Sequence, residues 1–339
     1  MKQENLVARK NRHLQYFASA LHDIGNTELD NVILKYSSLQ FIFPEDVQLD
    51  TSFLGTKLGA PFFLASVTGG TPEGKAFNHC AARCATLLRL PMVTGSLRVL
   101  LKRPETFSTF DVNSKGEIPL FFGDLGVATA VRYGAPHVRD LCKALRMDGI
   151  FLYFNHAQEI AQPVSEHHHI ELTQVKKFIQ EFNAPVCIKE TGMGFSENDL
   201  QILKSWPIAA LDTAGCGGSN FLAVEALQNG FAFPANEIEM LVRTMGHPTA
   251  RVIRNAQHLR IPVIAGGGIR TGLDIARALA LGATFASAAA PLVHAWYQDP
   301  QNGIETWVRS RLDQLRTVLA LCGTTTIDEF QKHHYSISL

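Results

Sequence analysis

Short runs of consecutive apolar residues recur along the chain at 62–67, 92–94, 120–122, 149–154, 186–189, 209–211, 263–265 and 284–288. Between them the apolar positions fall at helical spacing. Thr71-Pro72 precedes a helix expected over 73–88, and Pro136 opens one over 137–147. Thr173, Ser196 and Thr271 stand before helices expected over 174–182, 197–204 and 272–281, as N-cap and first-turn preferences direct. Strands apolar at consecutive positions are buried on both faces, which is the state of parallel strands between helices. Eight strand–helix units predict an α/β fold of the TIM type, a (β/α)8 barrel, rather than an open doubly wound sheet. The barrel is expected over 61–322, with a C-terminal tail at 323–339. Residues 1–60 are expected to be an N-terminal extension covering the barrel, closing its bottom or reaching over its mouth. The stretch 231–258 is long for a connection and is expected to carry extra helix that folds over the site.

Composition narrows the class. Apolar residues are 46% of the chain and charged residues only 18%, against about 25% in ordinary globular domains. Such a chain buries a large core. Lys and Arg number 31, as do Asp and Glu, so no net field draws nucleic acid or an anionic membrane. The six cysteines form no CxxC pair and predict reduced thiols in the cytoplasm rather than a disulfide framework. Arg9, Lys10 and Arg12 interrupt any leader-like apolar core. The uncharged stretch 278–293 includes Thr284, Ser287 and Pro291 and falls short of the ~18–20 strongly apolar residues of a membrane helix.

In a barrel of this kind the reacting groups stand just past the C-terminal ends of the strands. Those positions hold Thr68-Gly69-Gly70, Ser96 with Arg98, Asp124, Asn155 with Gln158-Glu159, and Lys189-Glu190. They continue with Asp212 before Gly215–Ser219, Gly266-Gly267-Gly268 with Arg270, and Ala288-Ala289. A ring of polar and glycine residues argues for a ligand site where a single cluster would not. The two glycine loops can bring backbone amides close to an oxyanion ahead of a helix N-terminus, or can simply make tight turns. Lys189 can form a Schiff base, act as a base, hold the electron-rich edge of a flavin, or pair with Glu190 or Asp212. Glu159 can hold Mg²⁺ beside a diphosphate or stand as a solvated carboxylate. Arg9, Lys10 and His13 form a basic cluster that can grip an anion or trail as a solvated tail. The run His167-His168-His169 reads as a polar loop rather than a metal tract.

Taken in order, these motifs resemble those of the FMN-dependent type 2 isopentenyl diphosphate isomerases, from about Arg9 to Leu292. The chain's Arg9-Lys10-Asn11-Arg12-His13 is similar to that family's opening Arg-Lys-x-x-His. Ser66-Val67-Thr68-Gly69-Gly70 resembles its flavin segment. Asn155-His156-Ala157-Gln158-Glu159 matches Asn-x-x-Gln-Glu, and Lys189-Glu190-Thr191-Gly192 matches Lys-Glu-x-Gly. The loops at 212–221 and 266–270 complete the set.

The resemblance implies FMN held by Ser66, Val67, Thr68, Ser96, Asp124, Lys189, Ala214, Ser219, Gly267, Gly268, Arg270, Ala288 and Ala289. It implies a diphosphate substrate bound by Arg9, Lys10, His13, Ser96, Arg98, Asn155 and Gln158. Gln158 is then the catalytic residue over the alkene, Glu159 the Mg²⁺ ligand, and Glu225 an acid near the site. NADPH or reduced flavin would supply the reductant. Moving a double bond adds a proton at one carbon and removes another two carbons away, and reduced flavin can supply that proton without net redox. A small-molecule partner and a homo-oligomer are expected, with no nucleic acid or membrane.

Several positions depart from the family pattern. Leu97 replaces an amide, Tyr153 replaces a histidine, Asp124 replaces a flavin-facing asparagine, Ser219 replaces a threonine and Ser287 replaces a glycine. Asp124 places a charge beside the flavin or requires a raised pKa, and Ser287 is expected to crowd the FMN phosphate. Two rivals follow. An FMN-dependent 2-hydroxy acid oxidoreductase would want a histidine base with an arginine clamp beside the flavin, and no histidine stands immediately beyond strands five to seven. A non-catalytic FMN- or diphosphate-binding relative would keep its ligands without turnover.

Overall fold

The computed structural model describes residues 6–19, 23–113, 115–162, 170–229, 231–332 and 336–337. Eight parallel strands close into a barrel: β1 (Phe62–Leu64), β2 (Met92–Ser96), β3 (Phe121–Gly126), β4 (Gly149–Tyr153), β5 (Val186–Lys189), β6 (Ala210–Asp212), β7 (Val263–Ala265) and β8 (Phe285–Ala288). β8 pairs with β1 through Ala286 and Phe62, and β6 pairs with β7 through Asp212 and Ile264, which completes the ring. Strand β3 runs on to Gly126 where the apolar run alone predicts an end at 122. Asp124 therefore sits inside the strand, paired with Ser96 and Phe151.

Phenylalanines fill the barrel's interior. Phe63, Phe122, Phe151 and Phe285 share one buried cluster with Phe53 and Leu58, and the Phe63 and Phe285 rings meet edge to face at 5.2 Å. Phe53 and Leu58 come from a hairpin of Thr51–Phe53 and Thr56–Leu58. That hairpin plugs the N-terminal end of the barrel, because Phe53 packs on the early strand residues Phe63 and Phe122. The extension thus serves both ends. Its helix α1 (Leu6–Ser19) lies at the opposite end, where Phe17 meets Phe221 at 5.9 Å.

The outer helices follow their caps. In the helix Gly272–Ala280, Thr271 accepts from the Asp274 amide while Asp274 accepts from the Thr271 amide, a reciprocal capping box. The helix expected at 174–182 starts earlier, at Leu172, because Gln174 accepts from the amide of Glu171 and makes that residue the cap. The helix expected over 137–147 spans Ala135–Ala144 instead; Arg146 lies in the left-handed region at φ 55°, which a helix cannot continue through. Short helices at Arg98–Lys102, Val127–Tyr133 and His156–Ala161 are too brief for periodicity to reveal. The stretch 231–258 carries Ala235–Met245 and Thr249–Ala256. Past residue 322, helix Ile327–Lys332 buries Ile327 and Phe330 against the barrel. No helix among the described residues is long and apolar enough to cross a membrane.

Candidate functional site

The C-terminal ends of the strands surround a cleft of about 1170 Å³, counted out to solvent. Its floor carries Asp124 of β3, Lys189 of β5 and Asp212 of β6, with Ser66 just past β1. Its roof is α1, whose Arg9, Lys10 and His13 face down into it. Of the residues singled out from the sequence, Ser66, Val67, Ser96, Arg98, Asn155, Gln158, Ala214, Ser219, Gly267, Gly268, Arg270, Ala288 and Ala289 also line it. Two do not. Thr68 is buried beside it, its carbonyl taken by Gly95 and Asn78 and its hydroxyl without a partner. Glu159 stands one step behind, accepting from Asn155 at 3.0 Å and facing Arg98 at 3.6 Å. The run at 167–169 lies outside the described residues.

Hydrogen bonds give the floor a direction. Lys189 donates to Ser66 Oγ at 3.0 Å, beside the Asp124 carboxyl. Oδ1 of that carboxyl is buried without a partner. Burial pushes the Asp124 carboxyl up to about 6, against the pull of Lys189, the Ser66 hydroxyl and Lys10. Asp212 is raised by burial as well, and its oxygens accept from the Ala214 amide and the Ser287 hydroxyl. Ser287 therefore turns toward Asp212 rather than standing free as an obstacle. Ala214 is held at φ 33°, a strained conformation for a residue with a Cβ.

The roof is held by one buried carboxylate. Glu225 is fully buried; its Oε1 accepts from Gln158 at 3.0 Å and Gln162 at 3.3 Å and lies 3.1 Å from His13 Nε2. Its Oε2 accepts from Asn229 at 3.0 Å. Burial works to raise its pKa, but the bonds from His13, Gln158 and Asn229 outweigh that and hold it below the ordinary value. Gln162 in turn accepts from Arg9 at 2.6 Å, so the network reaches the N-terminal helix twice. Asn155 donates to Gln158 Oε1 at 3.1 Å, which fixes both ends of the Gln158 amide. Gln162 and Asn229 were not singled out from the sequence. Each lies four residues beyond a residue that was, Gln158 and Glu225, and thus on the same helix face; that spacing is the signal that could have found them.

Other groups complete the wall. Tyr153 shares a hydrogen bond with Ser96 Oγ at 3.0 Å, and burial pushes its hydroxyl up to about 12, so it stays protonated. Burial also raises Glu190 to about 7, although the amides of Met193 and Gly194 bond its carboxyl. Leu97 is fully buried among outer core residues and is absent from the cleft lining, so its side chain is a packing group. Burial lowers the pKa of Lys10, while Asp124 and Glu225 pull it back up.

The first glycine loop has another purpose than the oxyanion cradle considered from sequence. Gly217 donates its amide to Ile24, and Gly218 accepts from the Ile24 amide. A Cβ on Gly217, at φ +108°, would come within 2.2 Å of the Thr27 amide. These glycines seat the extension; Ser219, Gly267 and Gly268 face the cleft. The Arg270 side chain is likewise engaged by the extension, through an ion pair with Asp23.

A family model described as FMN-dependent dehydrogenase matches residues 238–337. The chain is 33% identical over 329 residues to an isopentenyl-diphosphate delta-isomerase of Methanococcoides burtonii, covering 95% of this chain and 90% of that protein. It is 34% identical to the protein of that name from Deinococcus radiodurans, covering 96% of each. Among solved structures, a lactate oxidase of Pediococcus acidilactici superposes with a TM-score of 0.68 at 15% identity, over 100% of this chain and 96% of that one. Mandelate oxidase superposes at 0.66 and 15%, over 97% and 95%. At such identities these two oxidases share the fold alone.

Proposed function

The chain belongs to the isopentenyl-diphosphate delta-isomerase family, and from that premise we propose that it interconverts isopentenyl and dimethylallyl diphosphate with reduced FMN and Mg²⁺. NADPH or reduced flavin serves as the reductant that activates the cofactor. The observation that carries this reading is the pairing, in one cleft, of a cationic roof with an uncharged amide clamped at both ends. Arg9, Lys10 and Arg98 suit a diphosphate through charge-assisted hydrogen bonds. On this reading Gln158 lies over the apolar part of the same molecule.

The residues present fit a flavin. Gly267 and Gly268 bring backbone to the cleft wall at positive φ, Ala288 and Ala289 leave room before helix Ala290–Gln298, and Asp124 Oδ1 awaits a partner. When bound in reduced form, FMN supplies the proton-transfer chemistry at its N5 region. The chain's own residues do the rest. Lys189 and Ser66 form a polar floor, α1 excludes water from above, and the Asn155–Gln158–Glu225 chain orients the amide. A 2-hydroxy acid oxidation is disfavoured, because the sole histidine lining the cleft among the described residues is His13, already engaged by Glu225.

Glu159 fits Mg²⁺ through its Oε2, buried without a partner; phosphate oxygens and water would complete the shell, as Mg²⁺ usually requires. Glu159→Gln is expected to raise the Mg²⁺ concentration for half-maximal activity by at least about tenfold, a change of about 1.4 kcal/mol. FMN affinity, titrated by fluorescence, should stay unchanged; equal Mg²⁺ requirements in the two proteins would remove Glu159 as ligand.

Self-association belongs to the same reading. Leu39 and Phe41 are 88% and 89% exposed beside exposed Tyr36 and Phe43, and residues 36–43 carry no charge. Large apolar side chains exposed together in one uncharged segment suit an interaction face. Light scattering is expected to give a multiple of the 37.3 kDa chain mass; a monomer at micromolar concentration would contradict it. All six cysteines are free, which supports a cytoplasmic location.

The decisive experiment is anaerobic incubation in D₂O with isopentenyl diphosphate, FMN, Mg²⁺ and NADPH, followed by NMR. Deuterated dimethylallyl diphosphate, absent while flavin stays oxidised, is the expected product. Bound flavin with no product would favour the non-catalytic relative.

A further inference from the structure

We propose that Asp124 binds the FMN ring as a neutral acid, so that loss of its proton weakens flavin binding, an inference that rests on reading the cleft as an FMN site. Four observations converge on it. Asp124 is 5% exposed, in mid-strand on β3. Its Oδ1 is shut away from water without a partner. Asp212 of β6 adds a second carboxyl to the same floor. Between them stands one floor cation, Lys189, and its ammonium bonds to Ser66 rather than to either carboxyl.

The surrounding groups decide the protonation state. Lys10 approaches from α1, but burial discourages its own charge. Tyr153 of β4 stays neutral, and Ser96 of β2, paired with Asp124 in register, is bonded to Tyr153. An FMN molecule entering the cleft brings a phosphate anion and removes remaining water, which further penalises a carboxylate whose Oδ1 has no donor. A flavin ring offers two carbonyl acceptors and one imide N–H. A protonated carboxyl can donate to a carbonyl; an ionised one can only accept from the N–H. Burial already pushes the Asp124 carboxyl up to about 6 before any ligand is present, and the ring's arrival pushes the same way.

The test titrates oxidised FMN into the purified full chain and into Asp124→Asn by fluorescence quenching between about pH 5.5 and pH 8.5. A single proton held on binding weakens affinity by about tenfold per pH unit above the transition. The ionisation of the FMN phosphate is common to both proteins and cancels in the ratio of their dissociation constants. The expected result is a ratio that climbs with pH, with the asparagine protein the tighter binder at pH 8.5. Calorimetry in two buffers of different ionisation enthalpy should also find net proton uptake in the wild-type protein, and none assignable to this position in Asp124→Asn. A flat ratio with flavin bound, or tighter wild-type binding at high pH, overturns the neutral acid while leaving the FMN site intact. Absence of FMN binding by the wild-type chain at every pH overturns the flavin reading itself and the inference with it.

Discussion

Gln158→Asn is expected to lower kcat by about 10²–10⁴-fold, the range in which a positioned proton-transfer or orienting group acts. The reason is geometric. The Gln158 amide is held by Glu225 at one end and Asn155 at the other, and a side chain one methylene shorter reaches neither partner from the same backbone. A displacement of about 1 Å is enough to cost about 10²-fold when orientation carries the rate. On the proposed reading Arg9, Lys10 and Arg98 grip the diphosphate, so KM should change little, and FMN should remain bound. Steady-state kinetics together with a flavin absorbance spectrum give the readout. A variant that retains wild-type kcat would take Gln158 out of the chemistry.

The second large effect is at Glu225. Glu225→Ala leaves the donors of Gln158 and Gln162 buried without their acceptor, leaves Asn229 only the backbone carbonyl of residue 225, and frees His13. Breaking a buried charged hub of this kind typically costs about 3–5 kcal/mol of folding stability. KM for the diphosphate should rise along with it, since Gln162 also positions Arg9. Thermal unfolding and kinetics measure the two losses separately. The pH dependence has a definite sign. The folded pKa of Glu225 is held below its ordinary value of 4.5, so its contribution is present above that value and is lost as pH falls through the folded value. The stability gap between wild type and variant should therefore be widest near neutrality and narrow below about pH 4.5. A gap that stays constant into acid would mean that the carboxylate's charge is not what the network uses.

Much of the architecture was readable before any coordinates. Each of the eight apolar runs overlaps a barrel strand, because a strand buried on both faces has to be apolar at successive positions. Most of the polar residues placed at strand ends do line the cleft, since in a parallel barrel all strands open their C-terminal ends to one side. The misses share a cause. Asp124 read as a residue past a strand end, because a buried polar residue interrupts the apolar run that marks a strand. The helix at 172–182 gained two residues because its cap is Glu171, bonded through a glutamine rather than through a Ser or Thr hydroxyl. Gly217 and Gly218 looked like a ligand cradle, yet their space is taken by Ile24 and Thr27, far earlier in the chain.

The sequence by itself determined the barrel, the side on which the site opens and the residue types gathered there. Those follow from runs of consecutive apolar residues, helical spacing and capping, which act between neighbours a few residues apart. Tertiary structure alone decided that α1 roofs the mouth, that His13 and Glu225 meet across 212 positions, and that Gln158 is clamped between two partners. It also decided that Asp124 keeps one oxygen bare. These facts arise where barrel closure brings distant segments together and removes water between them. No local pattern encodes that exclusion, and the strength and protonation of the site's polar groups depend on it.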